Sequence, residues 1–271
     1  MTNRPLSNID AHAILDWYNA AGVDLAVGEV PVDRFAATLP NKSAPIIPQK
    51  NAKASASPSV TPTPPVPLHA DPTEANELAA KATSLQELEQ ILGDYDGCAL
   101  KLRATQLVFA DGNPEADIML IGEAPGRDED LQGKPFVGRS GQLLDKMLAA
   151  IGLDRTKVYI ANTVPWRPPG NRTPTPAEIA TCLPFLHRQI ELVAPKFIIT
   201  LGAPAAQTMF ETKSTITKMR GQWRDLDLGT FSVKALPTLH PAFLLRQPAQ
   251  KRLVWRDLLS LKQAIDNGVT N

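Results

Sequence analysis

The chain has 271 residues, 43% of them hydrophobic, which allows one domain of ordinary size with appendages and a substantial core. Lysine plus arginine balances aspartate plus glutamate at 28 each, so overall charge neither excludes nor announces a nucleic-acid partner, and any such surface must come from local clustering. No apolar run approaches the roughly 20 residues of a membrane span, and the opening MTNRPLSNIDAH lacks the apolar core of a secretory signal, so a cytoplasmic protein with no membrane partner is expected.

Residues 7–27, SNIDAHAILDWYNAAGVDLAV, place Ile14, Leu15, Trp17 and Tyr18 at helical spacing behind Ser7 and Asp10, two capping residue types. This predicts a short amphipathic helix within an N-terminal segment, 1–39, and makes that helix a candidate contact for a protein partner. Residues 40–70 are rich in proline, alanine and serine and contain no aromatic residue, which predicts a disordered, partly polyproline-like linker. The remainder, 71–271, reads as the main domain, led in by one or two short helices over 71–92.

From about residue 94, apolar strand-like runs alternate with amphipathic helices. The runs are IMLIG at 118–122, VYIANTV at 158–164, FIITLG at 197–202 and FSVKALPTLH at 231–240, and helices fill the intervals, with a last one after Pro248. Short strands alternating with helices of this length predict an α/β fold of three layers, α/β/α, around a mostly parallel four-stranded central sheet.

In open sheets of this kind the ligand crevice lies beyond the carboxyl ends of the strands. Those ends here carry Gly122-Glu123-Ala124, Asn162 and His240: a carboxylate, an amide and an imidazole on one rim. The turn GEAPGRDED also holds Asp128, Glu129 and Asp130, which read as solvated loop charge; with no nitrogen or sulfur donor nearby it makes a poor metal site. Phe136 sits among glycines, either anchoring its loop to the core or stacking on a flat ligand. Asn162 lies in an apolar strand, where an amide is costly unless both its donor and its acceptor are used, as a structural bridge or as a reader of a base edge. The loop TVPWRPPGNRTPT carries Arg167 and Arg172 among prolines, and HPAFLLRQPAQKRLVWR carries four basic residues and no acid from His240 to Arg256. The second stretch is either the solvated face of a helix or an apolar wedge, Phe243 to Leu245, flanked by cations that hold a nucleic-acid strand.

Three segments in register, GEAPGRDEDLQGKPFVGRSGQLL, VYIANTVPWRPPGNRTPT and HPAFLLRQPAQKR, resemble the family 4 uracil-DNA glycosylases over residues 98 to about 260. The resemblance implies a DNA-repair hydrolase acting on uracil-containing DNA, with Glu123 as the carboxylate of the first motif, Phe136 as the stacking ring, Asn162 as the uracil-reading amide and His240 as the histidine of the last motif. Gly122 and Ala124 would line the base pocket beside them, and Arg167, Arg172, Pro241, Phe243, Arg246 and Lys251 would contact DNA. The expected enzyme is a monomer that flips uracil out of the helix and hydrolyses its glycosidic bond. A non-catalytic DNA-binding adaptor of the same fold and a glycosylase for another deaminated base are the alternative readings.

One departure from the family matters. Its members usually hold a [4Fe-4S] cluster through four cysteines, and the matching positions here are Tyr95, Cys98, Trp166 and Cys182. Two cysteines in the whole chain exclude a four-thiolate site, so no cofactor and no metal is expected, and Tyr95 and Trp166 are expected to pack against two reduced thiols in the vacated space.

Overall fold

The computed structural model describes residues 72–229 and 232–268, so the predicted helix at 7–27 and the linker at 40–70 lie outside the described residues. Two short helices open it, α1 (Pro72–Lys81) and α2 (Leu85–Asp94). Ser84 caps α2, its hydroxyl accepting the Glu87 N–H at 3.2 Å. There follow β1 (Asp111–Gly112), β2 (Ile118–Gly122), α3 (Arg127–Gln132), α4 (Arg139–Ala149), β3 (Tyr159–Asn162) and α5 (Pro176–Val193). The C-terminal part adds β4 (Phe197–Leu201), α6 (Ala203–Met209), α7 (Ile216–Met219), β5 (Arg224–Asp227), β6 (Ser232–Thr238), α8 (Pro241–Arg246) and α9 (Lys251–Gly268).

The strands form one sheet in the order β1-β3-β2-β4-β6-β5. Its four inner strands are parallel and coincide with the four predicted apolar runs. The sheet is wider than predicted, because β1 and β5 add antiparallel edges. Neither edge has a readable signal: β1 has two residues, and β5 is Arg-Asp-Leu-Asp with only Leu226 buried. Likewise α3 arises within the turn GRDED, and the Phe243–Leu245 tip is helical, part of α8.

Both faces of the sheet are covered, so the central strand β2 is apolar and buried at every position and the two-residue period sorts its side chains by face. Ile118 and Leu120 pack with Leu144 and Leu148 of α4 and Val254 and Leu258 of α9. Met119 and Ile121 face the other way, onto Leu186, Ile190 and Val193 of α5. A third apolar cluster joins α1 and α2 to the outer side of α5 and includes Trp166. Among the described residues, no helix is long and apolar enough to cross a membrane.

Candidate active site

The carboxyl ends of β2, β3, β4 and β6 open into a cleft of about 590 Å³. Glu123 and Ala124 follow β2, Asn162 ends β3, Gly202 follows β4 and His240 follows β6, and all five line it. The backbone beyond β2 is pinned: the Glu123 carbonyl accepts from the Val164 N–H at 3.1 Å and from the Thr163 hydroxyl at 2.6 Å.

Asn162 is only 6% exposed, yet among the described residues its side-chain amide has no hydrogen-bond partner. A buried amide is ordinarily satisfied; this one borders the cleft. Gly122 does not line the cleft, contrary to the expectation. It stands beside Asn162 in the register of β2 and β3, and a Cβ there would lie 2.3 Å from Asn162 Oδ1 and 2.7 Å from Phe136 Cζ. Its role is to leave room for the amide and the ring.

Phe136 is buried and lines the cleft, with a left-handed backbone at φ 54°, a conformation that costs a non-glycine residue roughly 1–2 kcal/mol. The loop compensates with charge. Glu129, which read as solvated, is buried and its carboxylate accepts from the N–H groups of Gly126 (3.1 Å), Val137 (3.0 Å) and Gly138 (2.9 Å), tying the turn after β2 to the Phe136 loop. The spacing of Gly126 and Glu129, that of a capping box, is the signal that could have found it. Asp130, also read as solvated, is buried as well and accepts from the N–H (2.7 Å) and hydroxyl (2.9 Å) of Thr105.

His240 caps α8, its Nδ1 accepting the Ala242 N–H at 3.1 Å. That bond leaves the single proton of the neutral ring on Nε2. Burial, reinforced by the Arg246 guanidinium, lowers its pKa to about 4, so the ring is neutral at physiological pH. The Glu123 carboxyl is pushed the other way, upward, by burial against an opposing hydrogen bond from Thr173.

The basic residues divide. Arg246 is exposed on the cleft rim beside Phe243 and, among the described residues, has no ion-pair partner. Arg172 also lines the cleft, but its guanidinium makes a two-pronged ion pair with Glu178, at 2.6 and 2.8 Å, which holds the Glu178 carboxyl down at about 2. Arg167 is turned to Asn171 (2.7 Å) and stands 3.8 Å from Asp130, outside the cleft lining. Pro241 is buried, and Lys251 lines a separate apolar groove between α4 and α9. The structure therefore gathers Glu123, Ala124, Phe136, Asn162, Arg172, His240, Phe243 and Arg246, and leaves Gly122, Arg167, Pro241 and Lys251 off the cleft wall.

A profile of the uracil DNA glycosylase superfamily matches residues 109–259, the stretch that builds this sheet and cleft. This chain belongs to the uracil DNA glycosylase superfamily. A type-4 uracil-DNA glycosylase of Thermotoga maritima is 44% identical over 187 residues, 66% of this chain and 96% of that protein. Those of Archaeoglobus fulgidus and Sulfurisphaera tokodaii are 42% and 38% identical, over 61% and 66% of this chain and 85% and 84% of theirs.

The family resemblance implies an iron-sulfur cluster at Tyr95, Cys98, Trp166 and Cys182. Tyr95, Cys98, Trp166 and Cys182 are all buried in the third apolar cluster. Both cysteines are reduced, the Cys182 thiol donating to the Cys98 sulfur at 3.7 Å, a bond that raises the Cys182 pKa well above its ordinary value. The Tyr95 ring packs on Phe185 with centroids 5.1 Å apart. Two thiols and two large aromatic side chains do not fit a cluster that needs four sulfur ligands.

Proposed function

We propose that this superfamily member excises uracil from DNA, and does so without an iron-sulfur cluster. A base stacked in a duplex is unreachable, so the nucleotide must be extruded into the cleft, at a cost of a few kcal/mol that is smallest for a mispaired base. Phe136 stacks on the extruded ring. The observation that carries the reading is the buried, unpartnered Asn162 amide beside that ring. Its Oδ1 accepts the uracil N3–H and its Nδ2 donates to O4, whereas cytosine presents the reverse pattern and leaves buried groups unpaired.

Breaking the C1′–N1 bond sends the electron pair to uracil and leaves positive charge on the sugar. His240, neutral with its proton on Nε2, donates that hydrogen to the developing charge on uracil O2. Glu123 offers negative charge to the oxocarbenium-like sugar and orients the water that adds to C1′, the water's proton leaving toward the carboxylate. Arg246, with Phe243 beside it, engages the disturbed strand at the rim. The reading includes a cytoplasmic monomer.

Incubating the purified protein with labelled duplexes bearing uracil, hypoxanthine or a thymine mispair, followed by alkaline cleavage, tests it. Strand scission confined to the uracil duplex is expected. Scission at hypoxanthine instead, or none with retained DNA binding, would replace it by another base specificity or by a non-catalytic role.

A further inference from the structure

Outside the cleft, Arg155 has every nitrogen of its guanidinium engaged, and the contacts converge on the backbone of Phe136. Nη2 donates to the Phe136 carbonyl and Nη1 to the Pro135 carbonyl at 3.1 Å. The same Nη1 donates to Asp111 Oδ2 at 2.6 Å and Nε donates to Asp145 Oδ1 at 2.9 Å. Asp111 belongs to β1, whose pairing with Ile160 of β3 fixes it to the sheet, and Asp145 belongs to α4. Two anchored carboxylates therefore aim one cation at two consecutive carbonyls.

These carbonyls flank the left-handed residue. On the opposite edge of the same loop, Glu129 receives the N–H groups of Val137 and Gly138, so the Phe136 peptide is held between a cation on its carbonyl side and an anion on its N–H side. Gly141 completes the fit: a Cβ there would lie 1.6 Å from the Phe136 carbonyl oxygen, so only glycine lets that oxygen sit where Arg155 meets it. Lys134 of the same loop also meets Asp111, at 3.6 Å, and a single turn gathers this much fixed charge where the direction of its side chain matters.

We propose that Arg155 is a positioning residue for the stacking ring: anchored by Asp111 and Asp145, it holds Phe136 in the left-handed conformation that presents the ring to the extruded base. The inference rests on the reading of Phe136 as the ring that stacks on uracil. Arg155 does not line the cleft, so it acts only through Phe136.

The test is a double-mutant cycle on uracil excision, with kcat and KM measured separately and undamaged-duplex affinity as a control. Arg155→Met removes every donor; Arg155→Lys keeps the charge for Asp111 and Asp145 but cannot bridge two carbonyls, and it decides the matter should the Met variant fail to fold. Either substitution is expected to lower kcat/KM by about tenfold or more, since a misplacement of about 1 Å can cost up to about 100-fold, while undamaged-duplex binding stays unchanged. In a Phe136→Ala background the same substitution is expected to change kcat/KM by less than about twofold, because the two residues act as one unit. Additive losses, or an Arg155→Lys protein with wild-type kinetics, would overturn the inference while leaving the stacking role of Phe136 intact. Wild-type excision by Phe136→Ala alone would overturn both.

Discussion

The rings of Phe136 and His240 lie with their centroids 5.6 Å apart and their planes tilted by 30°. Phe136 reaches this place from the loop before α4 and His240 from the end of β6, and both line the cleft. The contact also keeps the imidazole in apolar surroundings, where the charged form is disfavoured. A neutral imidazole on the cleft wall follows from this burial together with the nearby Arg246 guanidinium.

The first prediction is a pH dependence of stability. The His240 pKa falls from 6.5 to about 4 on folding, so its contribution is complete above pH 6.5 and is lost as pH falls through the interval down to 4. Denaturant unfolding between pH 7.5 and 4.5 should lose about 2–3 kcal/mol more in the wild type than in His240→Asn, a residue that still caps α8 but does not titrate there. Parallel curves for the two proteins would assign the titration to another group.

The amide and the glycine behind it give the second. Asn162→Asp should lower uracil excision by about 100-fold or more, since a carboxylate accepts but cannot donate to O4, with the melting temperature nearly unchanged. Gly122→Ala should impair excision comparably, because its Cβ would stand 2.3 Å from Asn162 Oδ1 and displace the amide. Unchanged excision by Asn162→Asp would reduce this amide to a structural role.

A third concerns the cleft rim, where, among the described residues, Arg246 has no carboxylate partner and Arg172 is tied to Glu178. Arg246→Ala should weaken DNA binding and reduce the slope of log affinity against log salt by about 1, with little change in the single-turnover rate. Arg172→Ala should move that slope less, its charge being already neutralised by Glu178. Equal slope changes for the two variants would mean that the ion pair opens on DNA.

Trp166, 2% exposed in the cluster with Tyr95, Cys98 and Cys182, gives the last. Trp166→Ala should cost roughly 3–5 kcal/mol of stability, the usual penalty for emptying a buried aromatic site. The double substitution Cys98→Ser with Cys182→Ser should be milder and leave excision largely intact. Protein purified in air should be colourless, and a stoichiometric content of iron and labile sulfide by elemental analysis would refute the cluster-free reading.

The sequence by itself determined the four parallel strands and the residues at their carboxyl ends, because apolar runs bounded by glycine and helical periodicity are local patterns. It also determined that two thiols are too few for a four-sulfur cluster, since that is a matter of counting. Only the tertiary structure decided which charges are solvated. Glu129 and Asp130 lie among loop acids yet are buried by backbone N–H groups from other segments, and Arg155 meets Asp111 and Phe136 across 44 and 19 positions of chain. The same holds for Gly122, whose importance lies in two side chains that approach it from other elements, and for Arg167, Pro241 and Lys251, which share a basic or Pro-rich stretch with cleft residues but turn elsewhere. Local pattern fixes which face of an element is apolar; the partner of a buried charge is fixed by packing between segments distant in the chain, and leaves no trace in the spacing of either.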